Sequence, residues 1–297
     1  MLDTKELLYF LAVAEYNNIS KAANAIHLTQ PTLTRTIKNL EDKLGYQLFT
    51  RKSHRVIITE QGLLFKQRAQ EIISLLKKTQ EEFIQNEEDI EGHIYLGCAE
   101  TLGFNFIANV IKDIRQKNSK IKFQIESCAK DDIVRKIEYG LIDFALVIEP
   151  MNTDKYEKVV IPYKDSWGIL IYKENPLAKK KFVTKEDLLN TPLIVSQQLL
   201  KNIKNSQDFS FLKEPNYEKN IIISYNLLFN ASLLAKNQIG AVLCLDKIVN
   251  LEKSDLVFVP YYPSIKSSLM IIWKKREQYL PAQKIFLNKL QLLNKIH

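Results

Sequence analysis

Between Ser20 and Arg55 the chain carries Lys21, Arg35, Lys38, Lys43, Arg51, Lys52 and Arg55 against only Glu41 and Asp42. Interleaved with them are Gln30, Thr32 and Thr34, whose side chains both donate and accept hydrogen bonds. Gln and Arg can each make two parallel hydrogen bonds to a base edge, while Lys and Arg neutralise phosphates. The chemistry these types support is non-covalent recognition of a polyanion. Whether they act together depends on the elements that carry them.

Leu33, Ile37, Leu40 and Leu44 recur at i, i+4, i+7 and i+11, a narrow apolar stripe at helical spacing. Pro31, Arg35, Lys38 and Asp42 then fall on the opposite side, flanked by Thr32, Thr34 and Asn39. Thr29 before Gln30-Pro31 supplies an N-cap and a first-turn proline. Upstream, Ser20 reads as the cap of a shorter helix carrying Ala22, Ala23, Ala25 and Ile26, small enough for a close crossing. Only His27 to Thr29 separate the two, as in a helix-turn-helix, with His27 where glycine is common. After Gly45, Gln47–Thr50 and Val56–Thr59 read as short strands around the basic tip Arg51-Lys52-Ser53-His54-Arg55. Such a wing suits phosphates or the minor groove. The competing reading is an ordinary helical pair with a solvated polar face, and the basic excess counts against it.

With 297 residues the chain exceeds one typical core, and two or three domains are expected. Its 46% hydrophobic and 26% charged residues are those of a globular protein, and the net charge of +8 favours a polyanionic partner. The sequence has no run of eighteen apolar residues, and "MLDTKELLYF" does not read as a signal peptide, so a cytoplasmic location without membrane association is expected. Cys98, Cys128 and Cys244 lack CxxC spacing and read as small buried hydrophobes; a thiol sensor is the sharper alternative.

Thr59 caps a long helix expected to reach about Glu88, roughly 45 Å. Phe65, Ala69, Ile72, Leu76, Thr79 and Phe83 form a coiled-coil-like seam along it, which predicts pairing with a second copy. "NEEDIEGH" then breaks the pattern. Beyond His93, strands at Ile94–Cys98, Ile121–Ser127 and Phe144–Ile148 alternate with helices near Phe104–Lys117 and Asp131–Tyr139, an α/β unit with a parallel sheet. Near Ile161-Pro162 the chain enters a second unit. Its strands are Gly168–Tyr172, Leu193–Ser196, Ile221–Tyr225, Ala241–Leu245 and Leu256–Pro260. The strand "SSLMIIWKK" and a helix Ala282–Lys295 close the chain.

Ligands of such sheets sit beyond the carboxyl ends of strands. Those ends present Glu100, Thr101, Ser127, Cys128 and Glu149 in one lobe, and Ser196, Gln197, Tyr225 and Asn226 in the other. Thr101 and Asn226 also suit plain N-caps. Glu100 and Glu149 either receive an amine or stay solvated at the rim, and the helix start after Thr101 suits an anion, so an amino acid would satisfy both. Enzymatic chemistry finds little support. His27, His54, His93 and His297 stand near no nucleophile in a recognisable arrangement, and neither a glycine-rich phosphate loop nor metal-ligand spacing occurs. An architectural DNA-binding protein without a ligand would leave the two-lobed region unexplained.

The run "FLAVAEYNNISKAANAIHLTQPTLTRTIKNLEDKLGYQLFTRKSHRVIITEQG" resembles the winged helix-turn-helix of LysR-type transcriptional regulators. The resemblance rests on the Phe10 helix, Ala22-Ala23, Gln30-Pro31, Leu40-Glu41, Gly45, Leu48-Phe49 with Arg51, and Thr59 to Gly62. It is specific over residues 1 to about 90 and topological thereafter. It implies a mainly α DNA-binding domain at 1–58, a linker and dimerisation helix at 59–90, and an α/β effector domain at 91–297. That domain would resemble type 2 periplasmic binding proteins, with lobe I at 91–161 and 266–297 and lobe II at 162–265. It further implies a cofactor-free homo-oligomer, dimer or tetramer, that binds double-stranded promoter DNA, takes a small-molecule effector and meets RNA polymerase. Ser20, Lys21, Gln30, Pro31, Thr32, Thr34, Arg35, Lys38, Arg51, Lys52 and Arg55 are the expected DNA contacts.

Overall fold

The computed structural model describes residues 2–52, 55–83, 91–149, 151, 153–203 and 208–295, and the chain divides into two compact units, 1–84 and 85–297. Side chains at 51, 52, 55, 81–83, 202 and 292–295 also lie outside the described set.

The first unit holds α1 (Thr4–Tyr16), α2 (Ile19–Ala25), α3 (Gln30–Leu44), the hairpin β1 (Phe49–Lys52) and β2 (Arg55–Ile58), and α4 (Glu60–Phe83). Asp3 and Glu6 form a capping box on α1. Asn18, not Ser20, caps α2: its side chain accepts from Lys21 N, and Ser20 lies inside the first turn. His27 takes the left-handed conformation (φ 55°) that the tight turn needs, a role usually given to glycine. Thr29 caps α3 as the spacing predicts, and Gly45 (φ 74°) ends it.

Leu33, Ile37 and Leu40 of α3 are buried on Phe10, Val13, Ala22 and Ala23. The rings of Phe49 and Phe65 lie 5.1 and 4.8 Å from that of Phe10, tying hairpin and α4 to the same core. The Glu41 carboxylate accepts from Leu48 N (2.7 Å) and Phe49 N (3.0 Å), which fixes where the hairpin leaves α3. Val56 N donates to Asn17 O, anchoring β2 to the end of α1.

The seam read along α4 is divided. Phe65 and Ala69 pack into this unit's own core, with Ile73 beside them, because α4 covers α1. Ile72, Leu75 and Leu76 are exposed with Leu63 and Leu64 one face away; Thr79 is also exposed, and the side chain of Phe83 lies outside the described residues.

The second unit begins with β3 (Gly92–Cys98), α5 (Phe104–Lys117), β4 (Ile121–Ser127), α6 (Lys130–Glu138) and β5 (Phe144–Ile148). The strand β6 (Glu157–Tyr172) follows, then α7 (Lys185–Leu188), β7 (Leu193–Ser196), α8 (Gln197–Asn202), α9 (Pro215–Glu218) and β8 (Ile221–Tyr225). The chain ends with α10 (Leu228–Lys236), β9 (Ala241–Leu245), β10 (Leu256–Pro260), β11 (Lys266–Trp273) and α11 (Pro281–Lys295). Strand order is β4-β3-β5-β11-β6-β9-β7-β8, with β10 also on β6.

Two corrections to the sequence reading follow. The sheets are mixed, since β11 runs antiparallel to both β5 and β6, and β6 antiparallel to β9 and β10. No break separates the lobes at Ile161-Pro162; β6 is continuous, its first half paired with β11 and its second with β9 and β10. Pro162 is tolerated because the β11 register shifts between Ser268 and Leu269, opposite this point. Both faces of each half-sheet are covered by apolar clusters, which is why the strands read as near-continuous hydrophobic runs.

Gly62 has no room for a side chain, because a Cβ there would meet Leu48 O at 2.2 Å and Ile58 Cγ1 at 2.7 Å. Gly62→Ala is expected to destabilise the first unit by about 1–3 kcal/mol, the usual range for overpacking. Urea unfolding of the full chain checks this, and an unchanged first-unit transition would contradict the close approach.

Candidate functional site

Along α3, burial of Leu33, Ile37 and Leu40 forces the opposite face outward. Gln30, Pro31, Thr32, Arg35 and Lys38 are exposed and Thr34 is half-buried, with Ser20 and Lys21 exposed on α2 beside them. Ser20 Oγ donates to Gln30 Oε1 (3.1 Å), linking the start of α2 to the start of α3. Thr32 is committed locally, its hydroxyl 2.8 Å from that of the capping Thr29. Not every basic residue is available. Lys43 is paired with Glu6 at 2.6 Å, whereas Lys21, Arg35 and Lys38 have no acidic partner among the described residues. Arg51, Lys52 and Arg55 lie on the hairpin, where Lys52 is opposite Arg55 in register, and Ser53 and His54 lie outside the described residues. One face therefore gathers donors and uncompensated cations, suited to a polyanion with readable edges.

In the second unit a cavity of about 120 Å³ opens between the half-sheets. Six of the strand-end residues line it: Glu100, Cys128, Glu149, Ser196, Tyr225 and Asn226. Three do not. Thr101 and Ser127 border a separate depression with Phe104 and Lys247, and Gln197 borders another with Lys130 and Lys201. Gln198, one helical step on, faces the cavity in place of Gln197.

Several groups are already engaged. Glu100 Oε2 accepts from Leu228 N (2.9 Å), so a carboxylate of one lobe caps α10 of the other. Asn226 caps only its neighbour, accepting from Leu227 N. Gln198 Oε1 accepts from Lys130 N at the start of α6, and Lys201 pairs with Asp131 on the surface (2.6 Å). The Tyr225 hydroxyl donates to Leu243 O, and burial pushes its phenol well up.

Thr101 serves the joint instead of the cavity. Its hydroxyl accepts from Gly103 N and donates to Asp165 Oδ2 at 2.6 Å. Asp165 is fully buried on β6, and its Oδ1 has no hydrogen-bond partner among the described residues. Burial raises its carboxyl to about 6, the Thr101 hydrogen bond opposes this, and nearby Asp246 adds to it.

Reasoning from strand ends missed the residues inside the joint: Asp165, Trp167, Ser267 and Ile265, with Asp208 and Phe209 from a loop. In "YKDSWGILIY" Asp165 sits between Lys164 and Ser166, so the sequence carries no sign that it is buried. Burial raises all three thiols, Cys98 to about 12. No cluster of three or more potential metal ligands occurs among the described residues.

A winged helix-turn-helix carried in one chain with a two-lobed α/β cleft defines a class of one-component regulators. The family matches make the assignment specific: residues 4–63 match the bacterial regulatory helix-turn-helix proteins of the lysR family, and residues 87–292 the LysR substrate binding domain. The chain belongs to the LysR family, which is one of transcription regulators, not of enzymes. A hydrogen peroxide-inducible genes activator of Pectobacterium carotovorum subsp. carotovorum is 25% identical over 65% of this chain, and the chain spans 64% of that relative's length. A probable RuBisCO transcriptional regulator of Thalassiosira pseudonana is 24% identical over 98% of both chains. The fold is shared with CbnR in complex with its target DNA, at TM-score 0.74 and 18% identity over 99% of this chain and 100% of that one. No helix among the described residues is long and apolar enough to cross a membrane.

Asp165 gives a pH-dependent expectation. Its folded-state value lies above the ordinary 3.8, so the stability it contributes is present below pH 4 and is lost as pH rises through about 6. Asp165→Asn keeps an acceptor for Thr101 and removes the buried charge. Above pH 6 the variant should be more stable by on the order of 3 kcal/mol, with the gap closing toward pH 4. Calorimetric scans of the second unit's transition across this range check it; a gap independent of pH would contradict the assignment.

Proposed function

We propose that the protein is a transcription regulator that binds double-stranded promoter DNA as a homo-oligomer and changes its affinity or pose when a small molecule enters the cleft. The observation that carries the reading is the α3 face, where Gln30, Arg35 and Lys38 stand exposed and the two cations lack acidic partners among the described residues. In this reading Gln30, Pro31, Thr34 and Arg35 meet base edges or adjacent backbone. Ser20, Lys21, Thr32, Lys38 and the hairpin residues Arg51, Lys52 and Arg55 lie along phosphates. That the related CbnR structure is of a complex with target DNA supports it.

The exposed stripe of Ile72, Leu75 and Leu76 on α4, with Leu63 and Leu64, supports pairing with a second copy, because burying such a stripe is favourable. Two copies carry two recognition helices and read two half-sites about one helical turn or a multiple apart. A cytoplasmic location and contact with RNA polymerase belong to the same proposal. The cleft residues that remain candidates for effector contact are Glu100, Cys128, Glu149, Ser196, Tyr225 and Asn226. A peroxide response, which some relatives' names carry, gains nothing from this chain's thiols, since a reactive cysteine needs a lowered pKa and these are raised by burial.

Operator selection from genomic DNA, followed by binding titrations, tests the proposal. Arg35→Ala is expected to cost about 1–3 kcal/mol and to relax preference at one or two base positions. Lys38→Ala should weaken all sequences alike and reduce the salt slope by about one. Uniform loss from both variants would withdraw Arg35 from base reading. Ile72→Asp with Leu76→Asp is expected to give monomers that no longer hold the operator, because unpaired charge buried in the pairing face is costly. An unchanged mass in sedimentation would remove this stripe from the interface.

A further inference from the structure

Resting on the reading of the cleft as the effector site, we propose that it takes a small amine: one ammonium group on an apolar or aromatic body about the size of benzene.

Size comes first. The cavity is about 120 Å³. An engineered apolar cavity of roughly 150 Å³ accepts benzene, which sets the scale at some six to eight non-hydrogen atoms.

Charge comes next. Glu100, Glu149 and Asp208 line the cavity, and no Lys, Arg or His is among its described lining residues. An anionic ligand would place its charge against three carboxylates, with no cation among the described lining residues to compensate. Helix N-termini supply such compensation, and three border the cleft: those of α6 and α10, and that of the six-residue α8, whose cap residue Ser196 makes no side-chain cap hydrogen bond. The two longer helices already carry protein acceptors: Glu100 sits on Leu228 N of α10, and Gln198 on Lys130 N of α6, whose first turn also holds Asp131 and Asp132. The first N–H of each longer helix is occupied, and the start of the short α8 stands against the three carboxylates of the lining.

The remaining lining suits a cation on an apolar body. Trp167 and Phe209 meet edge to face, with centroids 5.1 Å apart, and Tyr225 also borders the cavity. Aromatic faces attract ammonium groups, and they do so more strongly where water is excluded. Ser267, 8% exposed, accepts from Trp167 Nε1 (2.9 Å), and its own hydroxyl hydrogen has no acceptor among the described residues, leaving a donor for a neutral oxygen on the ligand.

Three compounds of one shape separate charge from size: benzylamine, benzyl alcohol and benzoate. Each is titrated into the full chain at neutral pH, following heat and the fluorescence of Trp167, with Trp167→Phe as the control for location. Benzylamine is expected to bind at least tenfold more tightly than benzoate. Glu149→Gln with Asp208→Asn, both at exposed positions, should weaken benzylamine roughly tenfold and leave benzyl alcohol unchanged. Benzoate binding as tightly as benzylamine, or an amine affinity indifferent to the two substitutions, would overturn the proposal. If benzoate or benzyl alcohol quenches Trp167 while benzylamine does not, the charge assignment fails and the cleft reading stands. If none of the three binds, the amine proposal falls, while the cleft reading stands or falls with ligands of other classes.

Discussion

The second unit depends on one shared strand. β6 gives its first half to the sheet with β11 and β5, and its second half to the sheet with β9 and β10. β6 passes from one half-sheet to the other after Ser166, where its pairing with β11 ends and that with β9 begins. The residues just beyond that point are also the base of the cavity: Trp167 Nε1 donates to Ser267 Oγ, and Trp167 N to Ile265 O. The joint and part of the cavity lining are therefore made of the same residues. Asp165 belongs to the same place, in register with Ser267 and held by Thr101. A buried carboxylate with an oxygen that finds no hydrogen-bond partner among the described residues is a local cost.

The first unit obeys a simpler constraint. α3 must bury Leu33, Ile37 and Leu40 beneath α1 and α2, and helical geometry then leaves Gln30, Arg35 and Lys38 outside. The resemblance motifs acquire reasons here. Ala22 and Ala23 are buried where α2 meets the core, Glu41 receives the backbone that starts the hairpin, and Gly62 lets α4 lie against Leu48 O.

Legibility followed locality. The α3 cap at Thr29, its stop at Gly45, the helix Phe104–Lys117 and the strands at Ile121, Phe144, Leu193, Ile221, Ala241 and Leu256 were readable because neighbours in sequence determine them. What failed was non-local. The entry into a second unit expected near Ile161-Pro162 lies a few residues on, after Ser166, inside one continuous strand, and only β11 and β9, distant in sequence, reveal where β6 changes partner. The α4 seam misled for a related reason: periodicity identifies an apolar face without saying which partner covers it, and α1 takes Phe65 and Ala69. The cavity was half legible. Strand-end reasoning reached Glu100, Cys128, Glu149, Ser196, Tyr225 and Asn226, but could not assign Thr101 to Asp165, since that bond spans 64 positions in sequence.

Coupling between a ligand and the lobe arrangement requires an interaction that differs between two states by a useful amount. The bond from Leu228 N to Glu100 is a candidate of the right size. A hydrogen bond to a charged acceptor contributes about 1.5–3 kcal/mol net, and measured couplings between sites are typically about 1–3 kcal/mol. The bond crosses the cleft, so opening the lobes breaks it and leaves α10 without a side-chain acceptor, since its own cap residue Leu227 provides none. A group binding beside Glu100 acts on the same carboxylate that holds the lobes together. It need not pull on either lobe. A group that favoured or competed with that cap would change the free energy of this inter-lobe contact by about as much as such couplings require.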